Sequence, residues 1–169
     1  HDADVDAANY MRVIHCKTAK LFEAAMRLGA ILCKASAAEE EAAAKYGMHL
    51  GTAFQLIDDV LDYSADEQQT GKHLGDDLAE GKPTLPLIYA MQHGSPEQAA
   101  VVRSAIEQGD VEKFAEVLQI IHATGALEFT RKQALGEAEM ARASISSLPD
   151  SKHKQSLLEL ALFAATRQF

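Results

Sequence analysis

A chain of 169 residues with 47% apolar side chains and only 4 prolines is long enough for one domain with a sizeable core and too apolar to stay disordered. It has no Trp, 6% aromatics and few β-branched runs, which argues against a β-sandwich and for an all-α protein. A net charge of −9 without a Lys/Arg stripe excludes a nucleic-acid footprint, and the absence of an apolar run of about 18 residues leaves at most peripheral membrane contact.

The chain opens at His1 without an initiator methionine and enters a helix almost at once, which reads as a fragment of a longer domain. Asp4 or Asp6 can cap that helix, whose apolar pattern runs from Ala8 to Leu32 with an expected break near Lys17 and Thr18. Cys16 and Cys33 have neither zinc-site spacing nor the number of a disulfide scaffold, so a reducing, cytoplasmic setting is expected. Ser36 with Glu39 three residues on is a capping box that opens a long helix to about Tyr63. The segment from Ser64 to Pro86, rich in Gly, Asp, Lys and Pro, reads as a charged loop. Helices are expected over Thr84 to Met91, from Pro96 onward after Ser95, and around Val111 to His122, Gly125 to Leu148 and Ser151 to Ala165.

The stretch LGTAFQLIDDVLDY from Leu50 to Tyr63 is the most informative. Its apolar residues point in nearly every direction around a helix, so the helix is expected to be buried. At about 100° per residue, Gln55, Asp58, Asp59, Asp62 and Asp66 share one arc of about 100°. Carboxylates crowded in a low-dielectric setting repel one another and need cations, and oxygen-only donors suit magnesium. A bare DDxxD reads first as the edge of a solvated helix end, and the lysines that follow it are the context that shifts the reading. Lys72 and Lys82, each preceded by Gly, and Lys17 beside Thr18 supply ammonium groups suited to phosphate, although each taken alone reads first as a solvated surface charge. Asp76 and Asp77 can pair with a lysine or support a metal ligand, and the seven histidines lack metal-site spacing.

In order, CKTAKLFEA at 16–24, GTAFQLIDDVLDY at 51–63 and GKHLGDDLAEGKPTLPL at 71–87 resemble the trans-isoprenyl diphosphate synthase family, above all its long-chain branch that makes quinone side chains. The resemblance implies an all-α fold, the isoprenoid-synthase-type antiparallel helix bundle, of which this chain is the C-terminal part, and usually a homodimer. It implies elongation of an allylic diphosphate with isopentenyl diphosphate to an all-trans polyprenyl diphosphate of octaprenyl length, dependent on Mg2+. By the same resemblance Asp58, Asp59 and Asp62 are metal residues, with Asp58 the direct ligand. Lys17, Lys72 and Lys82 contact the allylic diphosphate, and Thr18 and Gln55 line the site near the developing cation. The family's first aspartate-rich motif has no counterpart here, since DDxxD occurs only at 58–62. The chain alone is therefore expected to be inactive, with the N-terminal half supplied by other polypeptide. The alternatives are a non-catalytic or regulatory helical subunit, or part of a shorter-chain farnesyl or geranylgeranyl synthase.

Overall fold

The computed structural model describes residues 2–64 and 75–168, and among these every regular element is helical. Helix α1 (Ala7–Ile14) starts on Asp6, whose Oδ1 accepts the Asn9 amide at 2.7 Å and satisfies one of the helix's orphan donors. It passes into a π-helical turn (His15–Ala19), in which the Lys20 amide reaches back five residues to the His15 carbonyl, and α2 (Lys20–Leu32) follows. The expected break at Lys17 and Thr18 is thus a widened turn inside one helical run. Ser36 and Glu39 form the expected capping box, with the Glu39 amide on Ser36 Oγ at 3.3 Å and the Ser36 amide on Glu39 Oε2 at 2.8 Å. Helix α3 (Ala37–Leu61) runs on from it for 25 residues.

The expected loop from Ser64 to Pro86 contains a short helix, α4 (Asp76–Ala79), and α5 (Leu85–His93) already holds Pro86 in its first turn, where an amide would have no helical partner. Helix α6 (Pro96–Gln108) starts on a second capping box, Ser95 with Gln98, and stops at Gly109 in the left-handed region at φ 61°. A 3₁₀ turn (Val111–Lys113) leads into α7 (Phe114–Thr124), so the helix read from Val111 begins as a tighter coil. Helices α8 (Ala126–Ser144) and α9 (Lys152–Thr166) complete the order, α9 capped by Ser151 on the Lys154 amide at 3.1 Å.

The chain packs as two compact units that share α3. One holds the residues up to Met11 and Asp58–Arg131, and its core includes Tyr63, Leu78, Leu87, Val102, Ile106, Val117 and Ile121. Each such fully buried aliphatic side chain contributes about 1.5–3 kcal/mol. The other holds Arg12–Ile57 and Lys132–Arg167, with Tyr46, Leu50 and Ile145 packed among Ala141, Ala161 and Ala164. Tyr46 is fully buried there and donates its hydroxyl to the Leu157 carbonyl at 2.8 Å. In α3, Leu56, Ile57 and Val60 are fully buried, in agreement with the all-round apolar pattern. On the outward face of α2, Leu21, Leu28 and Leu32 stand 71%, 58% and 82% exposed. No described helix is long and apolar enough to cross a membrane.

Candidate functional site

The last turns of α3 and the segment around α4 build an acidic pocket of about 190 Å³ lined by Asp58, Asp62, Asp76, Asp77, Glu80 and Lys82. Gly75 makes the turn into α4 possible. Its φ of 84° is left-handed, and a Cβ there would lie 2.6 Å from the Phe114 ring, which stacks on Tyr63 with centroids 6.1 Å apart. From that turn the Gly75 amide donates to the Asp62 carbonyl at 3.2 Å, and the Asp77 amide donates to Asp62 Oδ2 at 3.2 Å. The start of α4 is thereby fastened to the end of α3.

Asp62 has its pKa raised from 3.8 to about 6, first by burial and then by the nearby Asp77 charge. Lys82 answers part of this negative charge, with Nζ 3.0 Å from Asp77 Oδ1 and 2.7 Å from Glu80 Oε2. Partial burial pulls the Lys82 pKa down, but the bonds to Glu80 and Asp77 outweigh it and hold the ammonium above the ordinary lysine value. Among the described residues Lys82 is the only cation lining the pocket.

Asp59 goes elsewhere. It is 2% exposed, does not line the pocket, and its Oδ2 accepts the Tyr10 hydroxyl from α1. Successive helical residues point about 100° apart, so Asp58 and Asp62 share a direction that Asp59 does not. Within the described residues the arc of carboxylates read from the sequence thus divides into a pocket pair, Asp58 and Asp62, and a buried carboxylate, Asp59.

In the other unit, the π-helical turn presents Thr18 to α3, where its Oγ1 donates to Gln55 Oε1 at 2.9 Å. Lys17 is exposed beside it. Phe54 packs against Phe22 with centroids 5.7 Å apart and lies under the Arg167 guanidinium at 4.3 Å, a cation–π contact. Lys72 and Asp66 lie outside the described residues.

Of the residues singled out in the sequence, the structure therefore joins Asp58, Asp62 and Lys82 in one pocket and Thr18 with Gln55 in a hydrogen bond. Asp77 and Glu80 line the same pocket and bond to Lys82, while Tyr10 bonds to Asp59 outside it. The tyrosine carries no sequence signal that points to a carboxylate 49 residues away. Gly47 and Gly51 do carry one: their i, i+4 spacing marks a close approach of two helices.

No group of three or more His, Cys, Asp or Glu among the described residues has the arrangement of a protein metal cage. The donor set still fits a hard divalent cation. Magnesium needs only one or two carboxylates, because water and phosphate oxygens complete its shell, and this pocket offers oxygens without thiolate or imidazole.

Residues 1–123 match the family model described as polyprenyl synthetase. Octaprenyl diphosphate synthase of Escherichia coli (strain K12) is 52% identical over 168 residues, covering 99% of this chain and 52% of that protein. The all-trans-nonaprenyl-diphosphate synthase (geranyl-diphosphate specific) of Rhodobacter capsulatus is 40% identical, over 99% of this chain and 51% of its own length. Among solved structures, polyprenyl synthase from Caulobacter crescentus CB15, complexed with calcium and isoprenyl diphosphate, matches with a TM-score of 0.94 and 38% identity, over 100% of this chain and 52% of that one. The chain spans about half the length of the curated relatives it matches. With sequence and fold in agreement over that span, this chain belongs to the polyprenyl synthetase family.

Proposed function

We propose that this chain carries the second aspartate-rich, diphosphate-binding part of a prenyltransferase that extends an allylic diphosphate with isopentenyl diphosphate. The observation that carries this reading is the pocket at the end of α3, where five carboxylates converge with Lys82. A pocket so acidic suits a polyanion only when cations lie between them. Asp58 and Asp62 would hold magnesium. When bound, it supplies positive charge against the leaving diphosphate's oxygens.

The chain's own groups take complementary parts. Lys82 offers a compact ammonium to the phosphate oxygens in exchange for its bonds to Asp77 and Glu80, and Lys17 and Lys72 serve as further ammonium groups. Thr18 holds the Gln55 carbonyl oxygen through its hydroxyl, leaving a fixed neutral dipole suited to an electron-poor allylic carbon. The carbon–oxygen bond of the allylic diphosphate breaks, the isopentenyl double bond attacks that carbon, and loss of a proton restores the alkene.

Octaprenyl and nonaprenyl synthases among the relatives favour a long, all-trans product, of octaprenyl length for a quinone side chain. The same reading includes a homodimer, a cytoplasmic setting and a further stretch of polypeptide that brings the family's first aspartate-rich motif. It is tested by combining the chain with the upstream half of the Escherichia coli relative and assaying farnesyl and isopentenyl diphosphates. The expected result is magnesium-dependent polyprenyl diphosphate that Asp58→Ala abolishes. Elongation that ignores Asp58→Ala, or no elongation by the folded pair, contradicts it.

A further inference from the structure

The Tyr10–Asp59 bond ties two segments that are each fixed for other reasons. Ahead of Tyr10, Ala3 is buried in the core, Asp4 pairs with Arg103 on α6 at 2.8 Å, and Asp6 caps α1. The phenol therefore projects from an anchored base, and Tyr10 is itself only 5% exposed. On the other side, Asp59 sits between Asp58 and Asp62, the two aspartates of this motif that line the pocket. A carboxylate this deeply buried is costly without donors, and the Tyr10 hydroxyl is one that holds residue 59 facing the interior. Because α3 is a continuous helix to Leu61, fixing Asp59 also fixes the rotation of its neighbours about the helix axis.

We propose that Tyr10 is a positioning residue: by holding Asp59 in the interior it keeps Asp58 and Asp62 turned into the pocket, and Asp59 serves as anchor rather than metal ligand. The inference rests on the reading of that pocket as a divalent-cation site. The buried phenol is the donor and Asp59 Oδ2 the acceptor of this bond. The connection is structural at one end and functional at the other. Loss of the hydroxyl reaches the metal only through the helix.

The test is titration of the whole chain with Mn2+ alone at neutral pH, followed by the electron paramagnetic resonance of the free ion, well below the unfolding temperature. Tyr10→Phe removes one oxygen and is expected to weaken Mn2+ binding about fivefold or more, whereas Asp59→Asn, which still accepts from the phenol, keeps it within about threefold. Unchanged or tighter binding by folded Tyr10→Phe overturns the inference. Should that variant not fold, Asp59→Asn decides the matter: a loss as large as that of Asp58→Asn makes Asp59 a ligand and overturns it too. A wild-type chain that binds no Mn2+, or binds it regardless of Asp58→Asn and Asp62→Asn, removes the pocket reading itself, and this inference with it.

Discussion

The hydroxyl of Thr18, in the π-helical turn, donates to the side-chain oxygen of Gln55 at 2.9 Å where that turn and the start of α2 come close to α3 at Gly47 and Gly51. A Cβ at Gly51 would lie 2.7 Å from the Ala19 Cα, and one at Gly47 would lie 2.4 Å from the Phe22 carbonyl oxygen. Both contacts are with backbone, which cannot swing aside as a flexible side chain could. Gly51→Ala is therefore expected to part the helices and destabilise the chain by about 1–3 kcal/mol, the usual cost of overpacking. Thr18→Val, which removes only the hydrogen bond, should cost about 1 kcal/mol. Urea unfolding of the two variants checks the order; a Gly51→Ala protein as stable as wild type contradicts the packing account.

Asp62 sets a pH dependence with a definite sign. Its folded pKa of about 6 lies above the ordinary 3.8, so the folded state binds this proton more tightly than the unfolded state does. The stabilisation is complete below the unfolded pKa and is lost as pH rises from about 4 through about 6. Water still reaches part of this carboxylate, which reduces the expected loss to about 1 kcal/mol. Urea unfolding from pH 4 to 7.5 should show this decline in wild type and its disappearance in Asp62→Asn. Magnesium should restore stability at the upper end of the range and have little effect at the lower.

Lys82 contributes more to binding than to folding. Its two ion pairs are partly exposed, so Lys82→Gln should lower stability by about 1 kcal/mol or less. The same change removes the pocket's described cation and should weaken magnesium-dependent binding of inorganic diphosphate by about tenfold. Thermal unfolding and calorimetric titration on one preparation separate the two effects. A large stability loss with unchanged diphosphate affinity would make Lys82 a structural strut.

The stripe of Leu21, Leu28 and Leu32 makes little packing contact in this chain, since all three are more than half exposed. Exchange of Leu28 and Leu32 for Gln is expected to change stability by about 0.5 kcal/mol or less while reducing self-association. Sedimentation velocity of both proteins at equal concentration measures the second effect. Unchanged association would place the sticky surface elsewhere.

Much of this architecture is legible in the sequence because local chemistry and tertiary packing agree. Ser36 with Glu39 states where α3 begins, and the apolar residues between Leu50 and Leu61 state that its end is buried. The disturbance near Lys17 is legible as well, although its form, an i to i+5 turn, is not. The short α4 is hidden because Gly75, Gly81 and Pro83 signal a loop, and four residues are too few to show a helical period. The division among the aspartates is hidden for another reason. A helical wheel places Asp59 at the edge of the acidic arc, and its bond to the Tyr10 hydroxyl, 49 residues away in the chain, has no trace in the local pattern.

The measurement that bears most directly on the central claim is calorimetric titration of the chain with inorganic diphosphate, with and without magnesium, for wild type and Asp58→Asn. The account requires binding that appears only with magnesium and falls by about tenfold or more in the variant, with both proteins equally folded. Diphosphate binding that is independent of magnesium, or untouched by loss of the Asp58 charge, contradicts the assignment of the α3 pocket as the metal-diphosphate site.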